Sequence, residues 1–167
     1  MAKYKGTGTI TQADFKTVKW VGTTKGGQAV TIEFAKAINM GNIDWTFADK
    51  DDTVAQIVMT AVYSNTDEAS ESNDEPWTIE VSGTPTGAAE IMLGAGIFYV
   101  GGAKVGLTRG GGQLTVERTF REINADGDRG PVEGRIVLVD SRGTLTLNAL
   151  QILSRLADLY PAIGEAN

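Results

Sequence analysis

A mainly β fold, a sandwich or barrel with one flanking helix, is what this sequence predicts. Three observations carry that expectation. Apolar residues recur mostly with a period of two, the spacing of strands. The 21 glycines fall mainly between the alternating runs, where tight turns need a residue that accepts positive φ. Only one segment shows the three-and-four spacing of a helix. The 167 residues suit a single domain, 1–167, and 41% hydrophobic residues suffice for a real core.

Taken in order, Thr17–Val21 is a short β-rich run, and Gly22–Gly27 reads as its hairpin turn. Val30, Ile32 and Phe34 alternate in the returning strand, and a further strand is expected around Ile43, Trp45 and Phe47. Val54–Tyr63 is apolar on both faces, with Ala55, Ile57, Met59, Ala61 and Tyr63 on one of them. Such a strand is central or at an interface. Ser64–Pro76 contains no large apolar residue, so nothing offsets the entropy of ordering it, and a mobile loop is expected. Trp77–Val81 resumes a strand, and Ser82–Ala89, SGTPTGAA, reads as a linker.

The second half repeats the style. Ile97–Val100 and Lys104–Leu107 flank Gly101-Gly102-Ala103, a hairpin. Arg109–Gly112 reads as a turn, Gln113–Ile123 and Val132–Asp140 as strands, and Leu145 and Leu147 as a last short strand. The helix is expected over about 148–160. Asn148 would cap it with Gln151 at the third position, and Pro161 would stop it. Its apolar face would include Leu153 and Leu156, each worth about 2 kcal/mol if fully buried.

Composition removes several chemistries. The chain has no Cys and no His, so thiolate sites, disulfides and an imidazole base are excluded. Catalysis would have to rest on carboxylates, Lys, Tyr, Ser or Thr. No apolar run approaches a membrane span, and MAKYKGTGTI lacks the apolar stretch of a signal peptide. Net charge is −6, unevenly placed. From Asp44 to Glu75 nine acids stand against Lys50 alone, and the rest is slightly basic. Such a chain is a poor wrapper of DNA, though an acidic face lets DNA slide past; a solvated acidic loop is the plainer reading.

The candidate chemical sites are weak. In Arg121–Arg135 the residues Asn124, Asp126 and Asp128 alternate as in a calcium loop, but the later bidentate Glu is missing and strands flank the segment. A turn accounts for the same residues. Asp126 with Asp128, or Glu117 with Glu133, would make a glycosidase pair only across a cleft that nothing in the sequence places. Arg109–Gly112 lacks the spacing of a phosphate loop. Trp20, Trp45 and Trp77 suit core or subunit anchors better than a sugar platform. No catalytic residue, cofactor or metal ligand is expected. A non-catalytic carbohydrate- or protein-binding module and a carboxylate hydrolase stand as alternatives to a self-associating protein.

Two blocks resemble the major tail tube proteins of long-tailed bacteriophages. One is GAGIFYVGGAKVGLTRGGGQLTVERTFREINADGDRGPVEGRIVLVD, Gly94–Asp140, followed by LTLNALQILSRLADLYPAI. The other begins DFKTVKWVGTTKGG at Asp14, contains DKDD, and closes with PWTIEV. Together they cover nearly the whole chain. The resemblance implies a β-sandwich or barrel flanked by a helix, hexameric rings stacked into a tube, and DNA as non-specific cargo. It also implies contacts with other tail proteins, residence in the virion tail after synthesis in the bacterial host, and no membrane anchor. Glu33, Asp44, Asp49, Asp51 and Asp52 are then candidate lumen acids. Ser64, Asp67, Glu68, Glu71, Asp74, Glu75, Arg109, Arg121, Asp126, Asp128 and Arg129 are candidate subunit-contact residues. The loop Ser64–Pro76 would order between rings. The two blocks stand in the reverse of the family's order, as in a circular permutant joined at 82–89. That arrangement requires an exposed connector there and requires Tyr4 near Ala162.

Overall fold

The structure, a computed structural model, describes residues 3–43, 45, 53–63, 75–84, 86–126 and 130–165. Its strands are β1 (Tyr4–Gly6), β2 (Lys16–Thr24), β3 (Ala29–Asn39), β4 (Ala55–Ala61), β5 (Trp77–Val81), β6 (Met92–Val100), β7 (Ala103–Lys104), β8 (Thr108–Glu122), β9 (Ile136–Ala149) and β10 (Ile163–Glu165). One short helix, α1 (Leu156–Leu159), precedes β10. The main sheet is antiparallel with order β7-β6-β2-β3-β4-β9-β8, and β5 also pairs with β3.

β3 is where the sheet divides. Its first half, Val30–Phe34, pairs with β5, and its second half, Ala37–Asn39, pairs with β4. The two wings fold over one core. Val18, Trp20, Phe34 and Phe98 come from one wing, and Ile57, Met59, Leu145 and Leu147 from the other. The ends meet closely: a Cβ on Gly112 of β8 would lie 2.5 Å from the Phe98 ring of β6. β4 is central, as its apolar run predicts, with Ala55, Ile57, Met59 and Ala61 buried between β3 and β9.

Several local expectations are corrected. Gly22 is not in a turn but inside β2, where the Trp20 ring lies over both Gly22 and Gly96 and leaves no room for a side chain. The turn comes later, with Gly27 at φ 85°. Arg109–Gly112 is not a turn either; it is an irregularity within β8, between the pairs Thr108↔Ala149 and Gly112↔Leu147. Gly110 and Gly111 supply its positive φ. Gly101 and Gly102 do form the expected hairpin turn, both with positive φ. Ile43 is exposed, and Trp45 joins Ala55 in a single bridge rather than a strand; Phe47 lies outside the described residues.

The largest correction concerns the helix over 148–160. Asn148 does not cap it: Asn148 pairs with Gln56 inside β9, and Ala149 pairs with both Ala55 and Thr108. Leu145, Leu147 and Ala149 keep the period of two and are buried, so sheet pairing overrides the capping pattern. What remains is too short to hold a long helix alone. Residues Leu153–Arg155 make a 3-10 turn and only Leu156–Leu159 are α-helical. Leu156 and Leu159 are buried, but Leu153 is 68% exposed and contributes no core energy.

The chain ends are tied together. β1 pairs with β10, and the Thr7 N–H donates to the Ala162 carbonyl at 2.7 Å. Asp14 adds to this seam. Its carboxylate accepts from the Thr11 N–H at 2.6 Å and the Ala162 N–H at 3.2 Å. The described residues of 82–89 are exposed apart from half-buried Ala89. Tyr4 itself pairs with Glu165, and Gly6 with Ile163 beside Ala162.

Candidate functional site

The feature that distinguishes this molecule is an arm. β9 pairs with β4 only from Thr144 to Ala149. Beyond that point β8 and β9 pair with each other alone among the described residues, from Val116↔Gly143 to Glu122↔Ile136. The long alternating run Gln113–Ile123 sustains one strand, and Ile136–Val139 sustains the other. The arm has a bulge: Thr119 faces Asp140 and Phe120 faces Leu138, so Val139 is the extra residue.

The β9 strand of the arm is apolar where it is bare, whereas the exposed β8 positions around Phe120 are Glu117, Arg118, Thr119, Arg121 and Glu122. Phe120, Ile136, Val137, Leu138 and Val139 are all exposed. Ile136 and Leu138 point to one face and Val137 to the other, since strand side chains alternate. A two-stranded ribbon is marginal in water by itself. Full cover would be worth about 1.5–3 kcal/mol for each large apolar side chain. Adjacent exposed apolar residues of this kind mark contact surfaces.

Open edges accompany the arm. β8 ends the sheet on one side, so its outer backbone edge is unpaired among the described residues. β6 is covered by β7 at Tyr99 and Val100, and its edge from Met92 to Ile97 is unpaired among the described residues. Among the described residues β5 pairs with β3 on one side only. Exposed Ile79, Met92, Leu93 and Ile97 lie on these strands.

The base of the arm is polar and tightly knit. Glu75 accepts a hydrogen bond from Ser141 Oγ at 3.1 Å and pairs with Arg118 at 2.7 Å. The Arg118 guanidinium lies over the Trp77 ring, 5.4 Å from its centroid. Trp77 Nε1 points at Ser141 Oγ, 3.5 Å away. Ser141 is buried. A cleft of about 450 Å3 runs beneath the arm, between Tyr63, Glu75 and the segment Ile136–Ser141. Tyr63 has its pKa raised, by burial first and then by the charges of Glu75 and Asp140.

Of the candidate lumen acids, Glu33 sits in β3 and is paired with Lys19 at 2.7 Å; Asp44, Asp49, Asp51 and Asp52 lie outside the described residues. Of the candidate contact residues, Arg109 and Arg121 are exposed on β8, and Asp126 is exposed in the connection that leads to β9. Glu75 is turned inward onto the arm. Ser64, Asp67, Glu68, Glu71, Asp74, Asp128 and Arg129 lie outside the described residues. Glu117 faces Arg142 across the arm rather than Glu133 across a cleft. Trp20 is buried in the core, and Trp77 is half-buried under Arg118, so these two rings form no exposed platform. Among the described residues no group of three or more acids gathers as a metal site, and no helix is long and apolar enough to cross a membrane.

Sequence reasoning missed Phe120, Arg118, Ser141 and the apolar face of β9. The signal was the unbroken run Ile136-Val137-Leu138-Val139, which departs from alternation. Read as both faces needing cover, it marks the arm.

Comparison with family models, with curated proteins and with solved structures returns no match.

Proposed function

We propose that this chain is a structural subunit that acts by assembling with copies of itself, in the manner of a phage tail tube protein, and that it transforms no substrate. The observation that carries the reading is the β8–β9 arm, whose β9 strand exposes the apolar run Ile136–Val139 and which is joined to no third strand among the described residues. The edges of β5, β6 and β8 that are unpaired among the described residues offer backbone pairing to neighbouring subunits. Heterologous contacts of this kind close into rings when the rotation fits. Stacked rings, six subunits each, would enclose a channel whose acidic wall repels passing DNA. The adjoining chain ends and the mostly exposed described residues of 82–89 support a permuted arrangement of the tail tube blocks. The same reading places the subunit in the virion tail, with other tail proteins at the tube ends.

Electron microscopy and light scattering of the purified chain at rising concentration test this. Rings or tubes are the expected result. A monodisperse monomer at high concentration overturns the proposal.

A further inference from the structure

We infer that Glu75 is a latch that sets the angle of the β8–β9 arm on the body, with Gly143 as the point about which the arm turns when the latch opens. For its consequence, control of when the arm engages a second copy, the inference rests on the assembly reading above. The latch itself rests on geometry within one chain.

Four contacts converge on the arm base. Ser141 of β9 donates to one oxygen of Glu75, and Arg118 of β8 pairs with the other. Glu75 therefore holds both strands of the arm at once. Trp77, next but one along the chain, carries the Arg118 guanidinium on its face. Trp77 is itself fixed to the body, because it pairs with Phe34 of β3. The force path runs from β3 through Trp77 and Glu75 to both arm strands.

The hinge lies in the same place. The pairing of β9 with β4 ends at Thr144. Gly143 is the first residue beyond it, and a Cβ there would sit 3.0 Å from Trp77 Cδ1 and 3.4 Å from the Phe34 ring. The missing side chain lets the arm lie against the body in its latched position. Farther out the cleft beneath Ile136–Ser141 leaves room to move. The Glu75 carboxylate is mostly covered, with its side chain 18% exposed, whereas Arg118 is 43% exposed. Salt therefore reaches the ion pair from the arginine side and weakens it.

The test uses spin-label distances in the full chain at a concentration where single subunits prevail. The chain has no Cys, so Glu80→Cys on β5 and Arg121→Cys on the arm label cleanly. One narrow distance is expected at low salt. Glu75→Gln should broaden or shift it, and 1 M salt should do the same to the parent. In the Glu75→Gln variant salt should have no further effect, because the charge is already gone. Arg118→Met should reproduce the change, and the double variant should add nothing, as expected for two ends of one contact. Hydrogen exchange in the arm should quicken about tenfold while that of Ile57 and Leu147 stays constant. An unchanged distance overturns the latch. So does core exchange that quickens in step with the arm, since Glu75 would then support the whole fold. A failure to form rings leaves these distances standing, so the two proposals fail separately.

Discussion

Tyr160 and Arg155 show what single side chains do at the C-terminal end. Arg155 spreads its guanidinium over three carbonyls: Val100 at 2.8 Å, Ala103 at 2.8 Å and Lys104 at 3.1 Å. It also pairs with Asp158 at 3.2 Å. The fork geometry of Arg, which Lys lacks, is what ties the turn before α1 to the β6–β7 hairpin. No periodicity announces such a residue. Tyr160 is 2% exposed, and burial pushes its hydroxyl above the usual value of 10.0, only partly offset by the indole of Trp45. In the unfolded chain the same hydroxyl ionises near pH 10. Above that pH the unfolded state loses a proton that the folded state keeps, so stability falls as pH rises. Urea unfolding should therefore show full stability from this group below pH 10 and a progressive loss above it. Tyr160→Phe should flatten that slope, leaving the share of Tyr63. An unchanged slope would assign the alkaline loss elsewhere. Asp14 works at the other end of the scale. Burial raises its pKa, but hydrogen bonds from Thr11 and the Ala162 N–H and the charge of Lys16 outweigh this and hold it below 3.8.

Among the elements, the arm and the missing long helix are the two that separate local pattern from outcome. Phe120 and Val139, toward the outer part of the arm, are 58% and 60% exposed in the single subunit. Phe120→Ser and Val139→Lys should each change the unfolding free energy by no more than about 0.5 kcal/mol, the range for exposed positions. The pair together should abolish assembly seen by electron microscopy while the thermal melt stays in place. Assembly that survives would remove the arm from the interface. Leu147→Ala, at a fully buried position of β9, should behave oppositely and cost about 2–5 kcal/mol in urea unfolding. The strands were legible because alternation is local: Val18 and Trp20 in β2, Ile57 and Met59 in β4, Leu145 and Leu147 in β9 all face the core as their spacing implies. The helix was not, since Asn148 fits both a cap and a strand. The choice was made by Gln56, 92 positions away in the chain, which pairs with it.

For the molecule as a whole, the pairing of β1 with β10 makes the chain nearly circular. Joining the two ends and opening new ones within 82–84 should give a chain that folds, because those residues are exposed and belong to no core cluster. Its melting temperature should lie within a few degrees of the parent's by circular dichroism; an unfolded product would show that the connector directs folding. Of the candidate site, the sequence displayed the acids and arginines but not their arrangement. Glu75 read as one more charge in an acidic loop, and Arg118 drew no reading within the strand Gln113–Ile123. Their meeting depends on β5 and the arm arriving at one point, which no local pattern encodes. By itself the sequence determined the β class, the positions of most strands, the buried face of β2, β3 and β4 and the absence of thiol and imidazole chemistry, because side-chain alternation and composition are properties of neighbours in the chain. Only the tertiary structure decided that β3 divides the sheet, that β9 runs through the expected helix start, and that two strands outrun their partners to form an arm. Those outcomes depend on pairing between distant segments, where register and the reach of each partner strand set what is covered and what is left bare.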